Sequence, residues 1–212
     1  MPERPHRIFL LSPAQCGGLR AQLLVNPASN FELARRLRTA EGAPLGEVFS
    51  FLSGLYFRAK LHYATVFGNP PVGLPPLLVI TPAEGLQSAL EPITLKKLLR
   101  YASVPIDSGE ERYRRPFTRD ARRLAADVAA GAGERRCEVV LLGSIATGKY
   151  TDVLMRVFGL SLRFPAAFVG RGDMSRGGLM LRSVDAAAEL EYIPVEGAVR
   201  HGPRPARLGR RR

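Results

Sequence analysis

Three short segments and one carboxylate carry residue types that could bind an anion or act in catalysis. The first segment, residues 143–149, reads Gly-Ser-Ile-Ala-Thr-Gly-Lys and has the glycine and lysine spacing of a phosphate-binding loop. In that motif the next residue is a serine or threonine that binds Mg²⁺, but here it is Tyr150. This departure argues against ATP hydrolysis. Two interpretations remain: an anion cradle that uses the Ser144 hydroxyl and Lys149, or an ordinary strand-to-helix turn.

The second segment, residues 169–178, contains four glycines, two arginines and one acid. Arg171 and Arg176 carry the forked donors that bind phosphate oxygens in pairs, and Asp173 is placed to orient one of them. We predict a phosphate clamp in this segment. The alternative is a flexible turn ahead of a hairpin.

The third segment follows the apolar run at residues 7–12 and contains Cys16, a glycine pair at 17–18 and Arg20. The glycines allow a tight turn into a new helix, whose first N–H groups favour an anion and a thiolate. We therefore predict that Cys16 and Arg20 belong to a ligand site. The alternatives are a small buried cysteine and a surface arginine in a salt bridge.

Glu84 is the acid closest to the carboxyl end of the apolar run at residues 77–81. It is the predicted general base or ribose-hydroxyl ligand, with a structural turn carboxylate as the alternative. Arg58 lies off the apolar stripe of its helix, so it belongs either to the site or to the surface. Tyr56, on that stripe, is assigned to the core.

Strand and helix patterns alternate along the chain and would position these segments. Apolar runs bounded by glycine and proline predict strands at residues 7–12, 77–81, 138–143 and 164–169, followed by a terminal hairpin of 179–184 and 189–195. Apolar residues at steps of three or four predict helices over 31–37, 49–67 with a break at 53–54, 94–100, 117–128 opened by Pro116, and 153–158.

Near-continuous apolar strands separated by amphipathic helices indicate a three-layer α/β fold, with a mainly parallel sheet, helices on both faces and a C-terminal hairpin. We predict one domain over residues 1–198 and a disordered tail over 199–212. Ligands bind such sheets outside the carboxyl ends of the strands. The three segments and Glu84 are therefore expected around one groove.

Composition excludes several classes of protein. A hydrophobic fraction of 46% and a charged fraction of 24% are those of a globular chain, and no run of about 18 apolar residues predicts a membrane span. The apolar run near the start is shorter than the roughly 7–15 residues of a signal peptide, so a cytoplasmic protein is expected. Two cysteines and three histidines predict neither a disulfide framework nor a metal site, and no cofactor is predicted.

The net charge of +12 points to a polyanionic partner, although much of it lies in the tail. Without six tail arginines the charge falls to about +6. We predict that these six arginines contact the phosphates of a nucleic acid; they are Arg200, Arg204, Arg207, Arg210, Arg211 and Arg212.

The order of several short motifs resembles the YaaA-like group of bacterial α/β proteins. The motifs are Gly-Leu-Tyr-Phe-Arg at residues 54–58, Pro-Ala-Glu-Gly-Leu-Gln-Ser-Ala-Leu-Glu at 82–91, and Leu-Leu-Gly at 141–143 with Tyr150 downstream. The second motif also resembles a segment in domains attached to tRNA-guanine transglycosylase-like enzymes. This resemblance, over about residues 50–160, implies the shared fold and a connection to nucleic acid or nucleosides. It implies no reaction.

Together these observations predict a protein that binds nucleic acid or a nucleotide-like anion through the loops at the strand ends. One alternative is an enzyme acting on a nucleoside or a phosphorylated small molecule, for example by glycosyl or phosphoribosyl transfer. Another is a protein-interaction domain with a basic tail. The sequence contains no nucleophile triad or carboxylate pair that would choose between binding and catalysis.

Overall fold

A mixed sheet with a parallel centre organises the chain. The computed structural model describes residues 4–131, 133, 135–206 and 208–209. Within them the strands are β1 (His6–Leu11), β2 (Ala43–Pro44), β3 (Leu77–Thr81), β4 (Gly85–Gln87), β5 (Pro92–Ile93), β6 (Cys137–Leu142), β7 (Leu162–Pro165) and β8 (Tyr192–Pro194). The main sheet has the order β4-β3-β1-β6-β7-β8, and β2 pairs with β5 separately.

The first strand lies at the centre of the sheet. It pairs in parallel with β3, where Phe9 lies opposite Leu77, and with β6, where His6 lies opposite Cys137. Residues 8–11 are fully buried, which explains why this strand is an unbroken apolar run. The antiparallel strands β4 and β8 form the two edges. The predicted parallel α/β sheet is therefore confirmed.

Helices cover both faces of the sheet. They are α1 (Leu19–Val25), α2 (Glu32–Arg36), α3 (Leu45–Ser53), α4 (Leu55–Phe67), α5 (Leu95–Ala102), α6 (Glu111–Gly131), α7 (Gly148–Phe158) and α8 (Asp173–Asp185). The α4 helix packs against β1 and against α8, while α6 packs against β3 and β4 and α7 against β7. The predicted break between two helices near residues 53–54 is confirmed, because Gly54 has a φ of +61°.

One predicted helix start was wrong. The α6 helix begins at Glu111, so Pro116 lies inside it. A carboxylate oxygen of Glu110 accepts the N–H of Arg112 at 3.1 Å and satisfies a donor of the first turn. The buried face also extends back to Tyr113, which stacks against Phe117.

The strand predicted at residues 179–184 was also wrong, because this segment lies in α8. A short apolar run does not distinguish a strand from a buried helix. The residues that face inward, Gly177, Met180 and Ser183, follow the helical spacing of three. The terminal antiparallel pair is present, but it joins β8 to β7, with Phe164 opposite Ile193.

The described part of the predicted tail contains neither helix nor strand and lies against α8. Arg182 of that helix donates to the carbonyl of Gly209, and Arg171 donates to that of Ala206 at 3.4 Å. The disorder of the tail remains a prediction.

No helix among the described residues is both long and apolar enough to span a membrane.

Candidate ligand-binding cleft at the ends of β1 and β6

A cleft opens where the chain leaves the two central strands. The chain leaves β1 through α1–α4 toward β3 and leaves β6 through α7 toward β7, which lies on the other side in the sheet, so the loops after β1 and β6 diverge. Open α/β sheets bind ligands at such a point. The cleft has a volume of about 270 Å³. Its lining residues are Ser12, Pro13, Gln15, Leu52, Ser53, Tyr56, Ser144, Lys149, Tyr150 and Asp173.

A buried lysine lies directly beneath the cleft. Tyr56 and Lys60 are four residues apart on α4 and therefore share one face of the helix. The Lys60 ammonium donates to the Ser12 hydroxyl at 2.8 Å and also to the Ser12 carbonyl. It lies 4.5 Å from the centre of the Tyr56 ring and 4.9 Å from that of Phe57. Lys60 thus links the end of β1 to the floor of the cleft.

The charge of Lys60 has no ionic partner within the described residues. Its side chain is only 1% exposed, and its acceptors on Ser12 are neutral. Burial lowers the pKa of Lys60 to about 7, an effect that Asp173 opposes and Arg176 reinforces. Burial makes a proton on this amine costly, and an anion bound in the cleft would stabilise it.

The Tyr56 hydroxyl is a second unusual group. It is buried and has no partner at good hydrogen-bond geometry within the described part of the chain, and its polar neighbours are Arg176 and Ser12. Burial raises the pKa of Tyr56 to about 12, so the hydroxyl keeps its proton at neutral pH. A buried donor without an acceptor costs about 1–3 kcal/mol. A ligand oxygen in the cleft would remove that cost.

The loop after β6 supplies a cation. Lys149 lines the cleft, and its side chain makes no hydrogen bond or ion pair to another described residue. Ser144 also lines it, but its hydroxyl accepts the N–H of Ala146 at 3.2 Å. Tyr150, at the position of the Mg²⁺-binding hydroxyl in a phosphate-binding loop, is buried in the core. This loop is therefore suited to hold an anion by charge rather than to position Mg²⁺.

The segment at residues 169–178 contributes one carboxylate and one guanidinium group from the start of α8. Asp173 lines the cleft, and Arg176 lies 3.6 Å from its carboxylate. The Arg176 guanidinium also donates twice to the carbonyl of Phe168, at 3.2 Å each. From the sequence we predicted that Asp173 orients one of the two arginines, and in the structure its partner is Arg176.

The predicted general base lies elsewhere. Glu84 begins the turn into β4, and its carboxylate accepts from the Tyr101 hydroxyl at 2.6 Å and from Arg100 at 3.2 Å. Lys97 is 3.7 Å away. Glu84 does not line the cleft, so it serves here as the partner of α5.

Three predicted arginines are also separate from the cleft. Arg58 is exposed on α4. Arg171 donates to Ala167 and to Ser175, and lines a depression beside the tail. Arg20 donates to the carbonyl of Phe51 at 3.0 Å and lines a second opening, which shares Gln15 and Leu52 with the cleft.

The tail arginines divide into two sets. Arg200 lines a narrow crevice with Gly143 and Arg176, and Arg204 lines the depression with Arg171. The others, Arg207, Arg210, Arg211 and Arg212, lie outside the described residues.

Cys16 is buried behind the cleft, and its thiol donates to the carbonyl of Ala14 at 3.6 Å. Burial raises the pKa of Cys16 to about 12, so almost no thiolate forms at neutral pH. We expect dithiobis-nitrobenzoate to modify Cys16 at least about 100-fold more slowly in buffer than in urea, because only the thiolate attacks. Mass-spectrometric mapping distinguishes Cys16 from Cys137, and equal rates in the two solvents would contradict this expectation.

Sequence reasoning missed Ser12 and Lys60 and assigned Tyr56 to the core alone. One signal for them was available. Residues 56, 59, 60 and 63 form the buried stripe of α4, and a lysine within such a stripe is unusual. Its partner Ser12 lies directly after the buried strand β1 but 48 residues earlier in the chain, so the sequence alone did not pair the two.

Comparisons with protein-family models, with curated proteins and with solved structures gave no match to this chain. The resemblance to YaaA-like proteins therefore stays a prediction. Among the described residues, no cluster of histidine, cysteine, aspartate or glutamate is suited to hold a metal ion.

Proposed function

We propose that the cleft binds a small, nucleotide-like anion. The observation that carries this proposal is the buried Lys60 ammonium, which has only the neutral acceptors of Ser12. Two further groups support it: Lys149 and the Tyr56 hydroxyl have no hydrogen-bond acceptor among the described residues, and both would gain one. A volume of about 270 Å³ suits one small phosphorylated molecule rather than a polymer.

Binding of simple probes tests this proposal. We expect AMP and inorganic phosphate to raise the melting temperature and adenosine, which lacks the charge, to have little effect. Lys149→Gln should weaken AMP binding about tenfold, which corresponds to about 1.4 kcal/mol, as measured by calorimetry.

The matched control is Lys96→Gln, which removes the same charge from an exposed position on α5. It should leave AMP affinity unchanged. Equal affinities of Lys149→Gln and the unaltered protein, or equal stabilisation by adenosine and AMP, would contradict the proposal.

One contact favours a second candidate function, catalysis in the same cleft. The 2.8 Å separation of Lys60 Nζ and Ser12 Oγ lets a neutral lysine take the serine proton, as in serine–lysine enzymes. In this hypothesis Ser12 passes a proton between Lys60 and a bound nucleoside or phosphorylated molecule. Hydrolysis of AMP to adenine and ribose 5-phosphate, followed by chromatography, is a direct assay: water attacks the ribose C1′ as its bond to adenine breaks, and the proton of the water passes through Ser12 to Lys60 and on to the departing adenine. Ser12→Ala should abolish the release of adenine. If the unaltered protein binds AMP but releases no adenine, the catalytic hypothesis is wrong and the cleft only binds its ligand.

A further inference from the structure

A second, larger cavity is an open groove along the packed helices α6 and α7. It has a volume of about 860 Å³ and shares no lining residue with the cleft. The residues that line this arginine groove are Ser108, Gly109, Glu111, Arg114, Arg115, Thr118, Arg119, Arg122, Asp152, Val153, Arg156 and Val157. None of them was singled out as a site from the sequence.

The groove is strongly positive. Five arginines and two acids line it. Arg119 is 2.7 Å from Asp120, which in turn accepts the N–H of Leu86. The other four, Arg114, Arg115, Arg122 and Arg156, are exposed and have no hydrogen-bonding or ionic side-chain partner in the described part of the chain. They are therefore free to bind an anion without breaking an internal contact.

The arginines are spaced along the helix in a way that suits a polymer of phosphates. Arg115 and Arg122 are seven residues apart on one side of α6, which is about 10 Å along the helix axis. Three nucleotide steps of one strand in a duplex span about the same distance. Arg156 faces them from α7 across the groove. The α6 guanidinium groups can thus contact phosphates three steps apart on one strand, with Arg156 of α7 opposite them.

The chemistry of the lining favours a nucleic acid over a protein partner. The guanidinium fork matches phosphate oxygens, and every cation in the groove is an arginine. None of the described residues that line it is aromatic, so the lining offers neither a stacking platform for bases nor the usual anchor of a protein interface. The expected contact is with the backbone and is independent of base sequence.

We propose that the arginine groove between α6 and α7 binds the phosphate backbone of a nucleic acid. This site is separate from the cleft and stands whether or not the cleft binds a nucleotide-like anion. It also moves the predicted nucleic-acid contact from the loops at the strand ends to an outer helix pair.

Anisotropy of a labelled 20-mer DNA duplex, measured with the full chain over a range of NaCl concentrations, tests the proposal. The double variant Arg115→Gln/Arg122→Gln should bind about 20-fold more weakly at low salt, and its log–log salt slope should be smaller by about 1.8. The matched control is Arg123→Gln, which alters the neighbouring residue on α6. Arg123 does not line the groove and is 84% exposed. Because every variant keeps the tail, the difference between them isolates the groove.

Arg123→Gln should bind within about twofold of the unaltered protein. If the double variant does the same, the proposal is overturned. It is also overturned if poly-glutamate of equal charge competes as well as unlabelled duplex, because the groove would then recognise acidic chains in general. If the double variant does not fold, Arg156→Gln on the facing helix replaces it, with the same expected direction.

Discussion

Lys60→Met should abolish most of the rise in stability that the unaltered protein shows between pH 7 and pH 9. Burial lowers the pKa of Lys60 from 10.5 to about 7 in the folded state. Between those values the unfolded chain holds a proton that the folded chain has released. Stability therefore increases with pH in this window, by about 2 kcal/mol between pH 7 and pH 9.

The sign of this effect follows from proton binding. The contribution of Lys60 to stability is complete above the unfolded pKa and is lost as pH falls through the folded value. The cysteines act in the opposite direction as pH rises through the unfolded thiol pKa of about 8.5, because burial raises the pKa of Cys16 to about 12 and that of Cys137 to about 11. Every variant shares this effect, so the free energy of unfolding in urea should be compared between variants at pH 7 and at pH 9.

Lys96→Met provides the matched control, since Lys96 is exposed on α5. It should keep the slope of the unaltered protein. If Lys60→Met keeps that slope too, Lys60 titrates as an ordinary exposed lysine, and the argument for an anion above it fails. Addition of phosphate should reduce the slope in the unaltered protein, because a bound anion raises the pKa of the buried amine.

Gly85→Ala should destabilise the protein by about 3 kcal/mol, from backbone strain together with overpacking. Gly85 begins β4 with a φ of +69°, which side chains other than glycine rarely adopt. A methyl group there would also lie 2.6 Å from the carbonyl oxygen of Pro116 and would collide with the Asp120 carboxylate. That carboxylate accepts the N–H of Leu86, so the substitution strains the contact between α6 and the sheet edge.

Gly73→Ala separates the two causes. Gly73 has a φ of +81°, but no neighbouring atom lies within 4 Å of a methyl group at this position. Its cost should be backbone strain alone, about 1 kcal/mol in urea unfolding. Equal losses for the two variants would show that the close approach of α6 to Gly85 contributes nothing.

The sequence predicted the parts of the fold that depend on local pattern. The strands predicted at residues 7–12, 77–81 and 138–143 have apolar centres because both faces of a central parallel strand are covered. Residues 179–184 were assigned wrongly because a short segment with four apolar residues among six fits a strand and a helix equally well. The contacts of α8 with α4 favour the helix over the strand, and they join residues that are distant in sequence.

The site was less predictable than the fold for the same reason. Ser144, Lys149 and Asp173 were found because strand ends converge in a parallel sheet. Glu84 met that rule as well, but the chain turns back into β4 and its carboxylate pairs with α5. Lys60 was missed because its role depends on Ser12, which lies 48 residues earlier in the chain.

The central position of β1 has a consequence for synthesis on the ribosome. Its first neighbour begins at Leu77, and its second neighbour, which pairs Cys137 with His6, emerges much later. At typical elongation rates of 5–20 residues per second, β1 waits on the order of 10 s for that second neighbour. Throughout that interval its most apolar residues, 8–11, lack a complete sheet. The nascent chain should consequently depend on chaperones that hold extended apolar segments until β6 has been made.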